Sequence, residues 1–174
     1  MKKTFRMSLL AIGLGAVSTF SNAFEFAEEN IYAGGGLAFN FPDTSSLDSA
    51  IGYQFQAGYD LKDDVKMPNK LGLAAEVGYT SSGNFSWSDC PSSFVNCSAF
   101  DFSADGLWIN AVSDFHVQDQ ISVLGRLGLD MGDDDGIMFG FGAGYKIDEK
   151  ISARVEYVIR QNYKSLQANA IYNF

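Results

Sequence analysis

Ile51-Gly52-Tyr53-Gln54-Phe55-Gln56-Ala57-Gly58-Tyr59-Asp60-Leu61 alternates without a break. Its odd positions are all apolar or aromatic, and its even positions are Gly, Gln or Asp. A period of two marks a β-strand with two unlike faces. The way the faces differ decides the fold. In a soluble sandwich the apolar face points to a dry core and the polar face to water. Here the second face is small and amide-bearing, with a single charge at Asp60. That suits a strand whose bulky side meets lipid and whose small side fills a narrow bore.

Seven further stretches read the same way. Ile31 to Phe41 keeps Ile31, Ala33, Gly35, Leu37, Phe39 and Phe41 on one face. Leu71 to Thr80 sets Leu71, Leu73, Ala75, Val77 and Tyr79 against Gly72, Ala74, Glu76, Gly78 and Thr80. Leu107 to Val117 is less clean, because Ser113 falls among Leu107, Ile109, Ala111 and Phe115. Its other face carries Trp108, Asn110, Val112, Asp114 and His116. Ile121 to Asp130 puts Arg126 and Asp130 on the polar side. Ile137 to Ile147 opposes Phe139, Phe141 and Tyr145 to Gly140, Gly142 and Gly144. Ile151 to Arg160 places Arg154, Glu156 and Arg160 opposite Val155 and Tyr157. Leu166 to Phe174 runs Leu166, Ala168, Ala170, Tyr172 and Phe174 in phase against Gln167, Asn169 and Asn173.

An even number of strands, each near the ~9–11 residues of a tilted membrane strand, predicts an all-β fold. It is an eight-stranded antiparallel transmembrane β-barrel with up-and-down topology. Aromatics fall near the two sets of strand ends, as interfacial girdles do. Tyr59, Phe115, Tyr145 and Tyr172 form one set; Phe39, Tyr53, Tyr79, Phe139 and Tyr163 form the other. Connections at 42–50, 81–106, 132–136 and 161–165 lie at one end, and 62–70, 118–120 and 148–150 at the other. With a periplasmic N-terminus the first set is extracellular. The 62–70 connection is long for a periplasmic turn.

The first residues predict export. Lys2, Lys3 and Arg6 precede an uncharged apolar run from Met7 to Val17, and Ser21 and Ala23 are placed like a cleavage site. This is the layout of a secretory signal peptide over 1–23, and the run is too short for a spanning helix. The barrel domain is then 24–174, in the outer membrane of a Gram-negative cell after general secretion. Removing the three positive charges of the leader takes the formal charge from −9 to −12. So acidic a chain repels nucleic acid. Cys90 and Cys97 lie in the longest loop, and an oxidising compartment favours a disulfide over a metal pair.

Gly142-Ala143-Gly144-Tyr145-Lys146-Ile147, a short Asp148-Glu149-Lys150 turn, then Arg154-Val155-Glu156-Tyr157 and Ala170-Ile171-Tyr172-Asn173-Phe174 follow in order. With these the sequence resembles the OmpA/OmpX-like outer membrane β-barrel family over essentially the whole chain after the leader. The resemblance implies that Tyr172 and Phe174 act as the signal read by the barrel-assembly machinery. Outer membrane lipid, lipopolysaccharide and periplasmic chaperones are expected partners of a monomer. No cofactor is expected, and neither is the family's peptidoglycan-binding domain.

Candidate chemistry falls in four places. Glu76, Arg126, Arg154, Glu156 and Arg160 face inward. Charges enclosed in a narrow bore must pair. They form either a salt-bridge plug, which the family's small barrels also have, or a gated ion path. Arg126 is expected to pair with Glu76 or Glu156. His116, with Asp114 on the same face and Ser113 adjacent but outward, is read as a solvated residue or as part of a lipid A-modifying site. Asp130, Asp133, Asp134 and Asp135 read as a solvated turn rather than a metal site; the spacing is not that of a twelve-residue calcium loop. Phe85, Trp87, Phe94, Phe100 and Phe102 in the long loop either contact a host or surface protein or pack on the barrel rim. The expected function is a non-enzymatic, structural or cell-surface protein serving envelope integrity, adhesion or host contact. A small ion or solute channel and a lipid A-modifying enzyme are the alternatives.

Overall fold

The computed structural model describes residues 27–62, 70–86 and 102–174. The leader expected over 1–23 and both cysteines lie outside these residues. Eight strands follow a short 3-10 turn at Glu28–Asn30: β1 (Ile31–Pro42), β2 (Ala50–Asp60), β3 (Leu71–Ser81), β4 (Asp105–His116), β5 (Ile121–Gly132), β6 (Gly136–Lys146), β7 (Ile151–Ile159) and β8 (Tyr163–Asn173). Each strand pairs antiparallel with the next, and β1 pairs with β8, so the sheet closes on itself. Closure removes the unpaired edges that a membrane cannot satisfy.

The alternation quoted above becomes the inside and outside of the wall. On β2, Ile51, Tyr53 and Phe55 are exposed while Gly52, Gln54 and Gln56 are buried. Ile137 is 68 % exposed on the outside, whereas Trp108 is 0 % exposed within. This inverts a soluble core, and it is the surface that lipid solvates. Phe39, Tyr53 and Phe139 stand exposed toward the end with the long loops, and Phe115, Tyr145 and Tyr172 toward the end with the tight turns.

The turns follow from local chemistry. Asp148 accepts hydrogen bonds on one carboxylate oxygen from the backbone N–H of Lys150 (2.7 Å) and Ile151 (2.8 Å), an Asx turn that reverses the chain between β6 and β7. At the opposite end the β3–β4 hairpin continues past the barrel. Phe85 and Phe102 exchange backbone hydrogen bonds of 2.8 and 3.2 Å there.

One expectation needs correction. The polar stretch 161–165 reads as a loop with Tyr163 in the lipid girdle, but β8 begins at Tyr163, which pairs with Pro42. Tyr163 is in phase with Ser165 and Gln167, so it points inward, where it is buried.

Candidate functional site

The bore is held by ion pairs between strands that are not neighbours. Arg126 on β5 places Nε 2.7 Å from Glu156 Oε2 on β7, and Nη2 3.2 Å from Glu76 Oε2 on β3. The Nε contact is an ion pair off the straight hydrogen-bond line. Arg154 Nη1 lies 2.6 Å from Glu76 Oε1, and the Tyr32 hydroxyl donates to the same oxygen at 2.7 Å. Asn169 donates to Glu156 at 3.3 Å. The side chains of Arg126, Glu76 and Glu156 are 0 % exposed.

Glycine on facing strands makes room for these groups. A Cβ at Gly58 would overlap the Tyr32 ring, and one at Gly142 would crowd the backbone of Val155 and the Glu156 side chain. The Arg126 guanidinium lies 5.4 Å from the Trp108 ring centre, and that of Arg154 lies 5.2 Å from Tyr32. These faces add cation–π attraction where the charge is desolvated.

Phase alone groups Arg160 with the other four charges, but the structure parts them. Arg160 pairs with Asp130, nearer the long-loop end, and its guanidinium lies 5.5 Å from the Tyr163 ring. Asp130 therefore belongs to the bore rather than to the acidic turn. The three aspartates after it tie the loop down. Asp133 accepts from the Asp105 N–H at 3.2 Å, Asp135 from the Gly132 N–H, and Asp134 from the Asn162 side chain. They diverge onto separate donors, and no group of three or more ligating side chains suited to a metal occurs among the described residues.

Above Asp130 and Arg160 an apolar lid closes the long-loop end. Phe85, at 1 % exposure, packs with Tyr163, Ala50 and Ala104, and Leu47 leans on them. Its ring is 5.9 Å from that of Tyr163 and 6.2 Å from that of Phe102. As a surface contact Phe85 is thus corrected: it takes the rim-packing alternative, because it faces inward above the bore. Phe102 is exposed. Trp87, Phe94, Phe100, Cys90 and Cys97 lie outside the described residues.

At the tight-turn end the bore opens into a vestibule of about 500 Å³ whose lining includes Tyr32, Asp114, His116, Ser122, Lys146 and Arg154. His116 Nδ1 lies 3.1 Å from Asp114 Oδ2, with the His side chain 53 % exposed. Ser113, in phase with the outward-facing Ala111 and Phe115, takes no part; the serine level with His116 is Ser122 on β5. Phe174 stacks edge-on with Tyr172 at 5.3 Å and donates its N–H to Ile31 O at 3.1 Å.

Phase does not bring out Tyr32, a large aromatic on the small face of a glycine-rich strand. It shows Gln54, Gln167 and Asn169 as inward but not as one cluster. Gln54 Nε2 donates to Gln167 at 2.9 Å and to Asn169 at 2.7 Å across β2 and β8.

A closed eight-stranded wall with lipid-suited apolar residues outside and paired charges within defines a transmembrane β-barrel. The chain belongs to the outer membrane protein beta-barrel domain family, which it matches over residues 7–174, and it is an outer membrane protein. Three solved structures share the fold. Neisserial surface protein A is 22 % identical, covering 83 % of this chain and 97 % of that one, with a TM-score of 0.52. Ail of Yersinia pestis, in complex with the heparin analogue sucrose octasulfate, is 16 % identical over 83 % and 96 %, with a TM-score of 0.51. The outer membrane enzyme PagL is 14 % identical over 82 % and 99 %, with a TM-score of 0.51. No curated protein matches the sequence.

Proposed function

We propose that this protein is a non-enzymatic barrel that acts at the cell surface through its extracellular loops, in envelope integrity, adhesion or host contact. The bore serves as a salt-bridged plug. The observation that carries this reading is Arg126, bridged to both Glu76 and Glu156 at full burial in the middle of the lumen. Moving such charges aside for a solute would strand them unpaired in a low-dielectric bore. Function is then left to the rim and the long loop. Tyr172 and Phe174 serve the assembly machinery in this reading, and Cys90 and Cys97 brace the long loop.

The chemistry of the rim narrows the partner. Among described residues near the loops, Asp43, Asp48, Asp105, Asp133 and Asp135 accompany Lys164, which is paired with Asp43 at 2.5 Å. A sulfated polyanion of the kind bound to Ail finds no free cation on this described rim. The enzyme alternative rests on His116 with Asp114, and that pair opens at the end opposite the long loops.

Two measurements test the reading. Planar-bilayer recordings of the purified protein are expected to lack discrete conductance steps, and regular steps would replace the plug by a channel. Exchanging residues 87–101 for a short Gly-Ser linker is expected to abolish surface binding while the barrel still assembles. Unchanged adhesion and envelope resistance in that strain would remove the loop reading.

A further inference from the structure

The outer wall breaks its own rule at one place. Among the described residues, every glycine but one would bring an added Cβ to within 3.0 Å of a neighbouring atom, so local packing accounts for it. Even the outward-facing Gly35 lies under the Phe55 ring. Gly125 is the exception. It stands on the lipid side of β5 between the exposed Val123 and Leu127, and a Cβ there would meet nothing closer than Gly140 O at 4.0 Å. Phe141, level with it on β6, does not cover it, because its ring leans on Tyr157 at 5.8 Å.

A second anomaly sits beside it. Ser113, level with Gly125 on β4, also faces lipid, and its hydroxyl has no hydrogen-bond partner among the described residues. It lies one outward position inside the girdle residue Phe115, where lipid tails offer neither donor nor acceptor. A hydroxyl left unpaired there is costly. Ala111, Ser113 and Gly125 share a notch of about 580 Å³ in the lipid-facing wall, flanked by Leu73, Leu127 and Phe139. A lipid tail fills such a notch but leaves the hydroxyl unpaired.

A second barrel wall accounts for both. Two convex barrels touch along a line. Small residues on that line let the backbones approach, and large residues beside it fill the wedge where the walls diverge. This face has that order: Leu73 on β3, then Ser113 and Gly125, then Phe141 on β6. Two copies inserted in the same direction hold each residue at one depth. A two-fold axis along the membrane normal, over the β4–β5 seam, therefore sets Ser113 of each copy against Gly125 of the other. There the hydroxyl meets main-chain carbonyls that no side chain at Gly125 screens, and each carbonyl has a second lone pair to accept it.

We propose that this protein forms a homodimer in the membrane through its β4–β5 seam, in place of the monomer that the family resemblance implies. The long connection between β3 and β4 leaves from the same side of the barrel, so the dimer presents two copies of it to one surface. The dimer does not depend on what that loop binds.

The test measures energy transfer between full-length copies in lipid vesicles. Dyes are carried on Lys164→Cys in a Cys90→Ser, Cys97→Ser background. Transfer is expected to exceed that of randomly placed monomers and to fall as added lipid dilutes the protein. Gly125→Leu, whose side chain a single barrel accommodates, should cut the dimer fraction several-fold while the heat-dependent shift of the barrel on SDS gels stays unchanged. Ser113→Ala should cut it by a smaller factor. Ala168→Leu, exposed on β8 at the opposite wall, should leave it unchanged, as should exchange of residues 87–101. Wild-type transfer at the random level overturns the dimer and leaves the notch to a lipid tail. Transfer that survives both seam variants, or that falls equally with Ala168→Leu or the loop exchange, overturns the seam as the contact.

Discussion

Arg126 shows most directly how one residue governs the bore. Its face was legible, since a period of two assigns Arg126, Glu76, Arg154 and Glu156 to the small side of their strands. Its partners were only half legible. Pairing across the lumen depends on barrel diameter and side-chain reach, and these let one guanidinium take both carboxylates where sequence offers a choice of one. Tyr32 was hidden for the same reason: its hydroxyl reaches Glu76 two strands away, over Gly58. Arg126→Met is expected to destabilise the barrel by about 3–5 kcal/mol, the cost of leaving a buried charge alone. Glu76 would keep Arg154, so the stranded group is Glu156. Arg126→Met combined with Glu156→Gln should therefore recover much of the loss. Urea unfolding in lipid vesicles measures both, and simply additive losses would show that the charges are not coupled.

At the scale of the element, strand existence and phase could be read, and strand ends could not. The start of β8 is the clearest case. Residues 161–165 are polar, and polar residues between apolar runs ordinarily mean a loop. In a barrel with a polar bore that signal fails, because an inward-facing Ser or Lys-flanked Tyr looks the same as a loop residue. The structure resolves it through pairing: Arg160 donates its N–H to Tyr163 O at 3.0 Å, which closes a tight turn and puts Tyr163 opposite Pro42. The acidic run divides in a similar way: the phase of β5 already puts Asp130 on the inward face, where it meets Arg160, and only its grouping with the neighbours that cap the loop fails. Single cysteines placed in a Cys90→Ser, Cys97→Ser background test the phase at this end. Tyr163→Cys should resist a membrane-impermeant maleimide, and Lys164→Cys, at an exposed side chain, should react readily. Equal labelling would mean that β8 does not extend to Tyr163.

For the molecule as a whole, closure couples the residue and element scales. Because β1 pairs with β8, no strand can peel away without breaking ladders on both of its sides. The bore adds a second set of ties, since Glu76, Arg126, Arg154 and Glu156 join β3, β5 and β7 across the lumen. Opening the wall at any seam therefore exposes backbone groups to lipid and separates buried charges at once, and unfolding should be cooperative and slow. In SDS the unheated protein is expected to run as a compact species that shifts mobility only on heating. The temperature of that shift should fall in Arg126→Met, which unties the bore. It should hardly move in Lys164→Met, because the Lys164–Asp43 pair is exposed and such pairs contribute about 0–1 kcal/mol. A single mobility at every temperature, or a chain soluble without detergent, would contradict the barrel. A shift temperature equally sensitive to both substitutions would place the stabilising charges on the rim instead of in the bore.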